Sequence, residues 1–431
     1  LTEEDKSRQR ESQPGWAGTL LGAVAGAVAA VVVGFGLSAA FSAVGPALVA
    51  PSEGAHQSAR TFLARAGLNL YAIHHIRIAG GGLPGGPSGA YVSIAWPITT
   101  WAILPAAALA IGGWLSGRLS GARGRHRFWV GLLSAVPYVI ILLAVRGLFG
   151  LHTSALRFPL PKIAGVELEP GLLSALLRPA AGSTLFHGLL FGAIFGSIGA
   201  LGGLRAIWRG LVRRDAFWPS WLRGAVVAVV LGQLIFVALL AAVSGRAMGA
   251  FSRGGKNTAP GELARGWVTN LAASAGWAYY LAHGVTLRAD TAVAPGVPEA
   301  EPVVQRYRVG LLTGIVEDDK RKPAPHWAYL LLIVPAAALV TGGFLAAKTA
   351  GQPASRPALA AGFAAAYALL LTALVPCYTL ALRTVITTQG LTNRTTASIG
   401  PSAAQVFALG LILAFVFGFI GVSVYRPYAR S

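Results

Sequence analysis

An aromatic residue followed three places later by histidine occurs three times, at Tyr71–His74, Phe149–His152 and Tyr280–His283. Imidazole can ligate a metal, hold an anion or pass a proton near neutral pH. If the three segments are related by pseudo-symmetry, His74, His152 and His283 occupy equivalent places and converge on one metal or anionic ligand. A plainer reading competes. No carboxylate and no H-x-x-x-H pair accompanies them, and a basic residue in the last turn of a helix already meets the unpaired carbonyls there. Two further polar residues, His187 and Gln233, fall inside apolar runs, where such a side chain either bonds a neighbouring helix or touches a solute.

The remaining chemical inventory is thin. All 15 Asp and Glu lie in termini or loops. Proton-coupled carriers rely on an acid within the membrane, and lipid-phosphate transferases on clustered Asp around a divalent ion, so both classes lose ground. Gly254–Thr258 resembles part of a phosphate-binding loop, but Asn257 follows the Lys and the first Gly is misplaced. Asn393-Arg394-Thr395 fits the glycosylation sequon, a pattern short enough to arise by chance. No G-x-S-x-G, H-E-x-x-H or C-x-x-C is present, and the single Cys377 allows neither an intrachain disulfide nor a Cys-based cluster. The expectation is no catalytic residue, no cofactor and no enzymatic activity.

The elements that must position these residues are apolar. The 431 residues are 55% hydrophobic and 12% charged, with a mean hydropathy of +0.62, too apolar for a soluble domain. Runs long enough to cross a bilayer fall at about 16–42, 93–116, 128–149, 183–204, 222–244, 327–347, 358–382 and 403–424. The charged stretch 1–15 before the first run mimics a signal peptide. That run is far longer than an h-region, so the first span is expected to be retained. A ninth stretch, 268–287, is interrupted by Asn270, Ser274 and His283 and crowded by Trp267, Trp277, Tyr279 and Tyr280. Such aromatics favour an interfacial helix.

One stretch occurs twice. Residues 101–118, WAILPAAALAIGGWLSGR, align without gaps on 331–348, LLIVPAAALVTGGFLAAK, an internal duplication. With eight spans both copies run the same way, whereas a ninth would invert the second. Charge agrees: with eight spans, Lys and Arg make up roughly one residue in four of the inner segments and about one in ten of the outer ones. Both termini are then cytoplasmic.

The expected architecture is an all-α polytopic membrane protein of about eight spans in four hairpins. Residues 1–15 form a cytoplasmic tail. Residues 16–220 form a first half with outer loops 51–92 and 150–180, and 221–431 a second half with a long outer loop 245–325. Period-2 alternation at Ile76–Ile78 and Val285–Leu287, with returning runs at Tyr91–Ile94 and Tyr307–Leu311, predicts a small outer β-element beside the interfacial helices. The net charge of +20 sits in short loops where anionic headgroups attract it, so the bilayer rather than nucleic acid is the partner. Gly18, Gly22, Gly26, Ala30 and Gly34, and Gly188, Gly192, Gly196 and Ala200, make small-residue faces that suit bundle packing first and an oligomer second. Pro105, Pro137, Pro335 and Pro376 are expected to kink spans, and Arg146 to anchor one at its outer end.

The paired Tyr-x-x-His stretches, the connector GGGLPGGPSG at 80–89 and the returning strand before ILPAAALAIGGWLSGR resemble the streptophobe family of multi-span proteins from high-GC Gram-positive bacteria. The resemblance covers Tyr71–Arg118 and its second copy. It implies architecture and a cell-envelope location, and brings no activity. The functional expectation is a non-enzymatic membrane scaffold or accessory subunit that binds an envelope partner through its outer loops. The alternatives are a permease or channel for a small neutral or anionic solute, and a membrane enzyme with an outward-facing His site.

Overall fold

The computed structural model describes residues 15–44, 50–51, 58–81, 89–123, 125–152, 156–157, 176–202, 218–254, 260–294, 303–317, 320–351, 355–388 and 391–425. Among these, eight helical stretches are long and apolar enough to cross a membrane: Trp16–Ala43, Thr100–Leu119, His126–Phe149, Ala181–Ala200, Ser220–Val243, His326–Ala350, Arg356–Ala373 and Ala403–Val424. The stretch 268–287 is not one of them.

The chain divides into two compact units, the first made of Leu1–Trp96, Trp101–Arg209 and Arg383–Arg394, the second of Pro97–Thr100, Gly210–Leu382 and Thr395–Ser431. The first unit contains, in order, helices α1 (Trp16–Val44) and α2 (Ala59–Ile73), strands β1 (Ile78–Gly81) and β2 (Gly89–Ala95), and helices α3 (Ile103–Leu119), α4 (Arg125–Leu133) and α5 (Ala135–Val145). Short strands β3 (Leu151–His152) and β4 (Leu176–Pro179) and helix α6 (Ala181–Ala200) follow. The second unit begins with α7 (Ser220–Gly254) and α8 (Pro260–Ala282). An antiparallel meander of β5 (Leu287–Ala294), β6 (Val303–Gly310), β7 (Gly314–Glu317) and β8 (Lys320–Lys322) comes next, then α9 (Ile333–Ala350) and α10 (Arg356–Ala373). Strands β9 (Leu380–Thr388) and β10 (Leu391–Pro401), of which Arg383–Arg394 belong to the first unit, precede the last helix, α11 (Ala403–Val424). The alternating runs form the expected hairpins: Ile78 pairs with Ile94 in β1–β2, and Leu287 with Val309 in β5–β6. Strand structure reaches further than a small element, since β7 to β10 were not expected.

The Pro-Ala-Ala-Ala-Leu helix is the centre of each unit. In the first, α3 packs against both α1 and α6; in the second, α9 packs against both α7 and α11. The Gly-Gly pair makes this two-sided packing work, because adjacent helix positions point about 100° apart and each glycine serves a different neighbour. A Cβ on Gly112 would strike the carbonyl of Gly26, and one on Gly113 the carbonyl of Gly196; on Gly342 and Gly343 it would strike those of Gly224 and Gly418. Backbones meet directly at these crossings, the contact that small residues permit in membrane bundles.

Of the four prolines expected to kink spans, Pro137 falls at the middle of the span His126–Phe149, beside a break at Ser134, whereas the others stand at the starts of helical segments. Pro105 and Pro335 each stand in the first turn of an α-helix entered through a 3-10 turn, Thr100–Ala102 and His326–Leu332 respectively. Pro137 opens α5 after the break at Ser134, and Pro376 opens the 3-10 turn Val375–Tyr378. A first-turn N–H has no intrahelical partner to lose, so proline is accommodated there without a broken bond. Pro376 also ends the seventh span at Ala373, short of the 382 expected, and Leu380 already belongs to a strand.

The aromatic-rich helices pack along the spans that precede them. Helix α2 turns back along α1: the Arg65 guanidinium donates to the Ser42 carbonyl at 3.1 Å, the Ser38 hydroxyl donates to the Ala66 carbonyl at 2.7 Å, and Leu70 lies over Gly34. Its C-terminal half is buried. Helix α8 returns along α7 in the same manner, with Tyr279 over Gly232 and Phe236, near the middle of the apolar stretch Ser220–Val243. Tyr279 and Tyr280 are fully buried. Their hydroxyls find partners on neighbouring helices, so the polar ends that would favour an interface are satisfied inside the protein.

Candidate functional site

Each returning helix ends in a histidine held by the same three elements. In the first unit His74 Nδ1 lies 2.7 Å from the Leu70 carbonyl and Nε2 lies 2.6 Å from the Tyr138 hydroxyl of α5. In the second, His283 Nδ1 lies 2.7 Å from the Tyr279 carbonyl and Nε2 lies 2.7 Å from the Tyr367 hydroxyl of α10. A carbonyl only accepts, so Nδ1 carries the hydrogen and Nε2 of the neutral ring accepts from the tyrosine. Tyrosines three residues before each histidine donate in turn to carbonyls of the same partner helices, Tyr71 to Leu142 and Tyr280 to Leu371. The aromatic-x-x-His pattern is therefore a double clamp: one helical turn presents Tyr and His together, and both grip one neighbouring helix, four residues apart.

Both nitrogens of His74 and of His283 are thus engaged within their own units, and neither ring is left with a free lone pair for a metal. The third residue of the set, His152, lies in β3 opposite Leu176; its side chain is outside the described residues. Among the described residues no group of three His, Cys, Asp or Glu is placed to hold a metal ion.

The structure gathers a different set around His74. His75 follows immediately, with φ of 63°, a left-handed conformation that a non-glycine residue adopts at a cost of about 1 kcal/mol or more. It is the only non-glycine residue of this kind among the described residues. Its Nδ1 lies 3.0 Å from the Trp96 carbonyl, and its buried Nε2 has no hydrogen-bond partner. His187, half-buried nearly two turns into α6, lies with its ring centroid 6.2 Å from that of His75, and its Nδ1 meets the Ser183 hydroxyl and carbonyl at 3.2 and 3.1 Å. Phe191 fills the space beside them, 5.6 Å from the His74 ring and 6.0 Å from the His75 ring. Gln233 is half-buried in α7, and its buried Nε2 lacks a partner. Arg146 reaches the Pro179 carbonyl at 3.4 Å, an anchor between α5 and β4.

The sequence reading passed over His75. Its signal lay in the comparison of the two aromatic-x-x-His segments, since His75 follows the first where Gly284 follows the second, and Gly284 also has a positive φ, 77°. The chain reverses at this point in both units, and a glycine there shows what the backbone needs.

Outside the helices, the described clefts lie on the strands of the second unit. One, of about 250 Å³, is lined by Thr286, Arg288, Arg308, Thr313, Val316, Arg321 and Gln405. Another, of about 170 Å³, is lined by Arg288, Asp290, Thr379, Ser398, Gly400, Pro401 and Ser402. Comparison with family models, with curated proteins and with solved structures finds no match to the chain.

Proposed function

We propose that the chain is a non-enzymatic integral membrane scaffold or accessory subunit of a cell envelope, built from a duplicated four-span unit and docking a partner through extracytoplasmic strands. The observation that carries it is the β5–β8 meander, one face of which leaves apolar side chains exposed. Leu287, Val309, Ile315 and Lys322 lie in one row across its four strands, and pleating puts a row on one face. Val309 and Ile315 of that row are exposed, as is Leu312 in the adjoining turn. An exposed apolar strand face invites a partner or aggregation. Duplication is supported by the matched clamps and glycine crossings, which recur residue for residue in the same chain order. An enzyme with a His site loses support, because His74 and His283 have no atom left for chemistry.

The test is isolation from native membranes in mild detergent with and without V309D/I315D. The expected result is a co-eluting envelope protein that the double variant loses while remaining monodisperse. A lone protomer from the parent chain under the mildest conditions, with no partner after crosslinking in intact membranes, would overturn the reading.

One observation favours a permease as the second reading. Broken or returning helices occur where transporters bind solutes, and α2 and α8 each fold back along the helix before them, with the unpartnered His75 Nε2 at the end of one. Solute flux into vesicles carrying the purified chain, lost in H75A/H187A, would establish it in place of the scaffold.

A further inference from the structure

The other face of the same meander carries charge in a pattern that packing does not call for. Arg288 pairs directly with Arg308 across β5–β6, Arg308 with Val316 across β6–β7, and Val316 with Arg321 across β7–β8. The four residues form one row, all four line the 250 Å³ cleft, and the three arginines are exposed. Like charges directly opposed on antiparallel strands destabilise the pair. Arg321 is held by its own turn, donating from Nε to the Thr313 carbonyl at 2.9 Å and from Nη2 to the Leu312 carbonyl at 3.3 Å. Arg288 and Arg308 have no ion pair among the described residues. One acid shares this face: Asp290 stands opposite Arg306 and lines the neighbouring 170 Å³ cleft together with Arg288, one carboxylate among four arginines.

The rest of the lining also donates. Thr286 and Thr313 contribute hydroxyls, and Gln405 stands at the start of α11 with its Oε1 accepting from the Thr286 N–H at 3.1 Å. That bond fixes the amide and leaves its NH2 group for the cleft. Because α11 is itself a candidate span, Gln405 sets the cleft at the membrane surface.

We propose that this cleft binds a phosphate group bearing about two negative charges, as phosphomonoesters and diphosphates do near neutral pH. Three guanidinium groups are more charge than one carboxylate neutralises; the forks of Arg288 and Arg308 each match two oxygens of a tetrahedral anion, and Arg321, held by its turn, adds its charge and its remaining Nη N–H groups. The bound anion then offsets the opposed Arg288 and Arg308, which in the empty protein only repel. Such a phosphate has two sources: the headgroup of a phosphomonoester lipid at the membrane surface, or a soluble diphosphate. The site is independent of partner docking, which uses the opposite face of the strands.

The test uses the full-length chain in neutral detergent, with pyrophosphate as the soluble probe and phosphatidic acid doped into the micelles as the lipid probe, against phosphatidylcholine. Binding is read by calorimetry and by the ligand-induced rise in melting temperature. A tenfold or greater loss of affinity in R288Q/R308Q, with the phosphate-free variant melting no lower than the parent, is the expected result. The second half of that outcome separates a binding role from a structural one, since removing opposed charges should not harm the empty fold. Response to phosphatidic acid alone assigns the site to lipid, and response to pyrophosphate in lipid-free detergent assigns it to a soluble ligand. If neither probe shifts the parent, or if R288Q/R308Q responds as the parent does, the proposal falls.

Discussion

The two units solve one problem with the same parts and then differ in how two of those parts are finished. Each lays a short helix back along its first helix and ends it in a histidine clamped by a tyrosine hydroxyl. In the second unit the clamp is longer: the Tyr279 hydroxyl lies 2.6 Å from that of Tyr367, which in turn meets His283. The first unit has Leu70 in place of Tyr279, resting over Gly34 as Tyr279 rests over Gly232. The other difference is at the reversal, His75 against Gly284. The lesson is that the clamp belongs to the fold, because it is repeated, whereas His75 is an addition, because it occupies a backbone conformation that glycine fills without strain.

The largest effect expected from breaking this comparison is at the central crossings. Gly113→Leu would drive a side chain into the backbone of Gly196, and Gly343→Leu into that of Gly418. Forcing such helices apart costs about 3 kcal/mol or more. Both variants should lose folded protein in detergent to a similar extent, measured by monodisperse yield and melting temperature. A loss confined to one would mean that the two units do not share this construction.

A smaller and more pointed effect concerns the clamps. Tyr138→Phe leaves one buried acceptor without its donor, the His74 Nε2. Tyr367→Phe leaves two groups stranded, His283 Nε2 and the Tyr279 hydroxyl, the latter otherwise only 3.5 Å from the Ala228 carbonyl. At about 1–3 kcal/mol for each buried unsatisfied group, Tyr367→Phe should lower the melting temperature more than Tyr138→Phe. Adding Y279L to Y367F should recover part of the loss by removing one stranded hydroxyl, and equal losses in the two single variants would contradict the longer relay.

Much of this architecture was legible in the chain. Spans announce themselves by uninterrupted apolar length, and the hairpins Ile78–Ile94 and Leu287–Val309 by alternation beside a turn-rich connector. Proline was misread because its letter is the same in a first turn as in mid-helix. Only the 3-10 lead-ins at Thr100–Ala102 and His326–Leu332 decide which it is, and these depend on tertiary packing. The hydrogen bonds of Tyr279 and Tyr280 were not legible for a similar reason: an amphipathic ring suits an interface or a buried hydrogen bond equally well, and composition does not say whether a carbonyl such as that of Leu371 lies within reach. The histidines were grouped by sequence likeness, which found the clamp residues His74 and His283. It missed the pair His75 and His187, whose proximity depends on α6 packing beside the end of α2.

The smallest effect sharpens the comparison most, because its sign matters more than its size. His75→Gly removes the strain of a positive φ and forfeits one hydrogen bond to the Trp96 carbonyl, two contributions of about 1 kcal/mol each and of opposite sign. The melting temperature should therefore stay near that of the parent. Gly284→Ala gains nothing in exchange: it places a Cβ at an unfavourable φ and about 3.1 Å from Leu312, and should destabilise by about 1 kcal/mol. If His75→Gly instead lowers the melting temperature as far as Tyr138→Phe does, the imidazole is structural, and the difference between the units at this position is one of packing. If stability holds while flux or partner retention changes, the strained ring serves an activity rather than the fold. Gly284 marks where the second unit lacks it.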